Sequence, residues 1–185
     1  MTLHKNFLNN IEIIHTPKDI SYKKVLICIP GGGKTIGASR FKELQKQLFN
    51  ENIGSVSINF AGVEGSLGSV EADNLENRIT TTINIINWVQ DNFTRKEISL
   101  YGVSMGGYVI LGALQKTNSI EKIILHTPAA YAKESKKLTL MNNLQTYSEL
   151  QIVGKIQSLL IGYKISINLF YISHILKMKL FQKKF

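Results

Sequence analysis

Short apolar runs alternate with longer stretches of helical spacing along this chain. Lys24–Ile29 (KVLICI) is rich in β-branched residues and is ended by Pro30 and three glycines, which predicts a buried strand. Ala38–Asn52 carries Phe41, Leu44, Leu48 and Phe49 at helical spacing, so one face is apolar. Ser55–Asn59 (SVSIN) predicts a second strand, followed by a glycine-rich loop, Phe60–Gly68. Val70–Phe93 predicts a long helix, with Leu75, Ile79, Ile83, Ile86 and Val89 in register and acids in its first turn. Glu97–Tyr101 (EISLY), a helix over Met105–Lys116 and Glu121–His126 (EKIILH) continue the alternation. Ile11–Ile14 adds a candidate edge strand. Such alternation implies βαβ units with right-handed crossovers, and so an α/β fold with a mostly parallel sheet covered by helices. No internal repeat interrupts it.

Composition narrows the class. At 185 residues, with 44% apolar and 19% charged residues, the chain is long enough for one folded domain and too apolar for disorder. Its single cysteine, Cys28, lies in an apolar run, which excludes an internal disulfide and a cysteine-rich zinc module. No secretory signal is legible at the start, so a cytoplasmic location is expected. The net charge of +9 suggests nucleic acid, but its distribution does not. All 13 acidic residues lie at or before Glu149, whereas Lys155, Lys164, Lys177, Lys179, Lys183 and Lys184 follow it. Residues 1–149 therefore carry a net charge of only +3, from 16 basic and 13 acidic residues. No nucleic-acid motif accompanies the basic tail.

The chemistry centres on Gly102-Val103-Ser104-Met105-Gly106, a G-x-S-x-G run followed by Gly107. It lies directly after a predicted strand and directly before a predicted helix, the setting a nucleophile elbow requires. Small residues at its flanks permit the sharp turn. The serine then stands at the carboxyl end of the sheet, where open α/β folds bind ligands. Pro30-Gly31-Gly32-Gly33 is the second signal: acyl transfer needs backbone N–H donors aimed at an oxyanion. Gly32 and Met105 are the candidate donors; a plain loop is the alternative for the glycine run. The sequence Gly33-Lys34-Thr35 resembles the end of a phosphate-binding loop. However, the glycine required five positions earlier is Cys28, and Pro30 lacks an N–H. No metal cluster and no dinucleotide fingerprint is present, so no cofactor and no metal are expected.

Together, strand–PGGG–helix, the Asn59–Ser66 loop (NFAGVEGS), strand–GVSMGG–helix and strand–HTPAA resemble the alpha/beta-hydrolase superfamily, in particular its small esterase-, lipase- and acyl-peptidase-like members. The resemblance covers about residues 24–130. Asn59 stands where the family commonly has Asp. The resemblance implies a serine hydrolase of carboxylic esters or related small acyl substrates, with Ser104 as nucleophile. It also implies a helical cap at about 131–150.

The family's triad order is Ser, then Asp or Glu, then His. Ser158–Lys164 (SLLIGYK) resembles the strand that precedes the acid, but Ile165 follows and no acid lies beyond Glu149. The downstream histidines are His126, read as structural, and His174, the candidate base in a nonstandard arrangement. His4 and His15 are expected at the surface or a sheet edge. The segment from Ile165 onward is rich in Ile, Leu, Phe and Lys and lacks acid and glycine. The expectation is a core over 1–157 and an aberrant tail over 158–185, truncated or frameshifted, without the family's normal last strand and helix. A membrane-touching tail is an alternative, although its lysines do not segregate to one face. The functional expectation is an impaired serine hydrolase; the alternative is a non-catalytic relative with at most ligand or partner binding. Substrate identity and oligomeric state are not legible.

Overall fold

The computed structural model describes residues 1–94, 97–129, 131, 140 and 164–167. The chain opens with a hairpin, β1 (His4–Leu8) and β2 (Ile11–His15). The two turn residues, Asn9 and Asn10, have φ of 48° and 67°, as a two-residue primed turn requires. Then come β3 (Lys24–Ile29), a 3-10 turn at Ala38–Phe41 leading into α1 (Lys42–Asn50), and β4 (Ile53–Ile58). They are followed by α2 (Leu75–Asn92), β5 (Ile98–Val103), α3 (Met105–Ala113), β6 (Ile120–His126) and β7 (Lys164–Ile167).

The strands form one sheet in the order β1-β2-β4-β3-β5-β6-β7. β4, β3, β5, β6 and β7 run parallel, and the β1–β2 hairpin is attached antiparallel to β4. The mostly parallel α/β architecture is thus the one expected. Alternation along β3 divides the core in two. Val25, Ile27 and Ile29 face α2 and α3, while Leu26 and Cys28 face Phe41 and the Leu44 and Leu48 side chains of α1. Phe49 leaves that α1 face and meets Tyr22 on the other side, with ring centroids 6.4 Å apart. α3 is apolar all round and almost wholly buried, as befits a central helix.

Several boundaries differ from expectation for local reasons. α2 begins at Leu75, not Val70, because Asn74 caps it: the Asn77 N–H donates to Asn74 Oδ1 at 2.8 Å. Before the cap, Ser69 Oγ accepts from the Glu71 and Ala72 N–H groups and holds a turn instead. Ile11–His15 is an inner strand, because β1 covers its outer side. His15 is correspondingly buried, not at the surface, whereas His4 is exposed. A strand is described at Lys164–Ile167, paired in parallel with β6 from Lys122↔Lys164 to Leu125↔Ile167; of the strand expected within Ser158–Lys164, only Lys164 lies among the described residues. Residues 158–163 and 168–185 lie outside the described residues, and so does the expected absence of a last strand and helix. Among the described residues, no helix is long and apolar enough to cross a membrane.

Candidate active site

The chain passes from β3 to β4 on one side of the sheet and returns through α2 to β5 on the other. The carboxyl ends of β3 and β5 therefore flank a topological switch point, where the diverging connections leave a crevice. Both sequence signals stand there: Pro30–Gly33 follows β3, and Ser104 follows β5.

Ser104 caps α3 with φ 52° and ψ −118°, a strained conformation for a residue with a side chain. Such strain persists only where the surroundings over-determine it, and here three backbone bonds do so. The Ser104 N–H donates to His126 O at 2.9 Å, and Ser104 O accepts from the Gly107 N–H at 3.0 Å and the Ala129 N–H at 2.9 Å. The elbow is thereby tied to the end of β6. Its glycines are needed for close approach. A Cβ on Gly102 would lie 2.8 Å from the Gly106 backbone, and one on Gly106 would strike the carbonyl oxygens of Ile29 and Pro30.

The structure brings three predicted site residues together. A Cβ built on Gly31 would lie 3.4 Å from the Ser104 Cβ, and one on Gly32 would lie 2.5 Å from the Met105 Cε. Ser104, Gly32 and Met105 thus share one corner, with the first-turn amides of α3 beside it. His174 lies outside the described residues. His126 is exposed, and its ring meets Tyr101 edge-on at 6.4 Å. Among the described residues, no hydrogen bond joins the Ser104 side chain to a histidine. Cys28 is fully buried, which pushes its thiol up to about 12 and leaves it inert.

Arg78 was not legible as a site residue. It is 1% exposed on α2, within the apolar face that also carries Leu75, Ile79 and Thr82. Its Nε donates to Asp73 Oδ2 at 2.7 Å. Its Nη1 donates to Gly31 O at 3.4 Å and approaches Met105 Sδ at 3.3 Å. The guanidinium lies over the Phe60 ring, 4.4 Å from the centroid. Burial lowers its pKa, and the Asp73 charge opposes that shift. A signal existed in the sequence: Asp73 stands five positions before an arginine placed in an apolar register.

The Asn59–Ser66 loop is held from below. Asn59 Oδ1 accepts from the Ala38 N–H at 2.5 Å, and Ser66 Oγ donates to Asn59 O at 2.6 Å. Lys34 ion-pairs with Glu71 across the solvent side. Of the expected cap at 131–150, Tyr131 and Leu140 are described. Tyr131 packs edge-on against Tyr108 at 5.1 Å, and the buried Leu140 donates its N–H to Asp73 O at 3.0 Å. The remainder of that segment lies outside the described residues.

Comparison with known proteins agrees with this arrangement. The chain is similar to an esterase from Exiguobacterium antarcticum (19% identity, TM-score 0.53, covering 65% of this chain and 42% of that one). It is similar to a monoacylglycerol lipase from Paleococcus ferrophilus (18% identity, TM-score 0.52, covering 71% and 45%). It is also similar to the alpha/beta hydrolase GrgF from Penicillium sp. sh18 (17% identity, TM-score 0.57, covering 69% and 45%). At these identities the likeness concerns the fold, and the chain spans less than half the length of each of these structures. No curated protein matches the sequence. The family profile described as serine aminopeptidase, S33, matches residues 21–165. With the elbow, the sheet order and that match in agreement, the chain belongs to the S33 serine aminopeptidase family of alpha/beta-hydrolases.

Proposed function

We propose that this chain is built to hydrolyse carboxylic esters, or related small acyl compounds, through an acyl-enzyme on Ser104. The observation that carries this reading is the strained Ser104 backbone at the join of β5 and α3. Ser104 Oγ attacks the acyl carbon while its proton passes to a base. The carbonyl electron pair collects on oxygen, where the Gly32 and Met105 N–H groups receive it. Collapse expels the alcohol, which takes the proton from the base. Water then adds to the acyl-enzyme by the same route, releasing the acid and restoring the serine. The names of the Exiguobacterium esterase and the Paleococcus lipase favour an ester substrate.

The candidate base is His174. A serine hydroxyl is a weak nucleophile without a positioned base. The acid position expected after the 158–164 segment holds Ile165, and residues 150–185 contain no Asp or Glu. Turnover is therefore expected to be impaired, approaching what the oxyanion donors and binding supply alone. The same absence favours a second reading, a non-catalytic relative that retains the elbow and binds a ligand or partner.

Fluorophosphonate labelling of the full chain, with Ser104→Ala as control, separates the two. Ser104-dependent labelling supports a working nucleophile. No labelling of a folded sample supports the non-catalytic reading.

A further inference from the structure

We propose that Arg78 is a positioning residue that fixes the orientation of the Gly31–Gly32 peptide group; its catalytic consequence rests on the acyl-enzyme reading of Ser104. The Gly31 carbonyl and the Gly32 N–H belong to the same planar, trans peptide unit, so they point in opposite directions. Arg78 Nη1 draws Gly31 O towards α2 at 3.4 Å. That contact turns the Gly32 N–H away from α2. Three consecutive glycines would otherwise let this peptide flip freely. A hydrogen bond from a cation to the carbonyl also polarises the N–H at the other end of the unit.

The same guanidinium holds the second segment. Nη1 lies 3.3 Å from Met105 Sδ, and the Met105 side chain packs directly under Gly32. Both candidate donors are therefore referenced to one buried group. That group is fixed in turn by the 2.7 Å bond it donates to Asp73 and by the Phe60 ring. Packing alone does not explain an arginine here. A buried ion pair is often no more stabilising than apolar residues of similar volume, and its desolvation is costly. Among the described residues, Arg78 Nη2 is buried without a hydrogen-bond partner, a further expense that an apolar side chain would avoid.

The test uses the full chain and two variants: Arg78→Lys, and the charge-neutral double variant Asp73→Asn with Arg78→Met, which leaves no orphaned carboxylate. Amide hydrogen exchange is read for residues 31–36. Fluorophosphonate labelling is resolved into a maximal rate and a probe affinity. In the double variant, exchange at 31–36 should rise about tenfold while β3 and α3 stay unchanged. The maximal labelling rate should fall ~10- to 100-fold, less than the roughly 100- to 1000-fold lost when an oxyanion donor is removed outright, with probe affinity unchanged. Arg78→Lys should recover part of both. Unchanged exchange at 31–36 overturns the proposal, as does a uniform rise across the chain, which would mark Arg78 as merely structural. If the wild-type chain is not labelled at Ser104, the acyl-enzyme reading fails, while the exchange pattern still decides the role of Arg78 in the loop.

Discussion

Asn59 donates from Nδ2 to Glu12 Oε2 at 2.5 Å, joining the loop after β4 to the buried carboxylate of β2. Glu12 receives Lys5 Nζ on its other oxygen at 2.7 Å. This pairing accounts for the departure from the family pattern. An aspartate at 59 would set a second carboxylate against Glu12, whereas the amide donates to it and still accepts from Ala38. Asn59→Asp should therefore destabilise the chain by ~2 kcal/mol, the order expected when a buried acceptor loses its donor. Adding Glu12→Gln, which restores a donor, should recover at least half. A urea-denaturation double-mutant cycle reads the coupling, and additive effects would refute the pairing.

Backbone strain at Ser104 reverses an ordinary ranking. Gly is normally less stable than Ala by up to ~1 kcal/mol in regular structure. At φ 52° and ψ −118° an alanine keeps the strain and a glycine releases it. Ser104→Gly should thus be at least as stable as Ser104→Ala, by 0 to about 2 kcal/mol in thermal or urea unfolding. A clear advantage for alanine would mean that the elbow is relaxed in solution.

The Asp73–Arg78 pair should show strong coupling. Asp73→Ala alone leaves a guanidinium buried without its counter-charge and should cost about 3–5 kcal/mol. Asp73→Asn with Arg78→Met should cost much less than the sum of the two single changes. Equal and additive losses in chemical denaturation would show that solvent reaches the pair.

Two buried groups predict acid sensitivity in separate windows. The contact of His15 Nδ1 with Thr16 O at 2.6 Å requires that nitrogen to carry the proton, since the carbonyl can only accept. The Nε2 lone pair is then buried, and burial holds the imidazole below its ordinary 6.5. Downwards from about pH 6.5 the unfolded chain binds the extra proton and the folded chain resists it, so stability falls on acidification. Glu12 acts lower. Burial pushes its carboxyl up, but hydrogen bonds from Lys5 and Asn59 outweigh this and hold it below the ordinary 4.5. Its contribution is intact above pH 4.5 and is lost as pH falls through the folded value. Melting temperature against pH should show both declines, and His15→Phe should flatten only the upper one.

Much of this was legible in the chain because it depends on local chemistry. KVLICI, followed by Pro30, could hardly continue as anything but a buried strand, and its bounds agree with β3. The elbow was legible because only small residues fit where Gly102 and Gly106 touch. Ile11–Ile14 was legible as a strand, but its partner β1 was missed although Asn9-Asn10 is a turn signal, because β1 (HKNFL) has little apolar alternation. Arg78 was missed because helical periodicity marks apolar faces and says nothing about an arginine that finds its partner five residues away. The chain downstream of residue 150 was the least legible. There the register of a strand depends on its neighbour, β6, rather than on its own sequence.

The β3–β5 pairing has a consequence for how the site comes into being. Val25 pairs with Ile98 and Ile29 with Gly102, while the whole of β4 and α2 lies between them in sequence. Contacts closing so long a loop form slowly, because chain entropy is lost before the contact repays it. The Pro30–Gly33 loop and the Ser104 turn therefore meet only when the non-local half of the sheet zips together. Covalent capture at Ser104 would then serve as a clock for the last act of folding, silent in any collapsed precursor and sounding once the two ends of the crevice arrive.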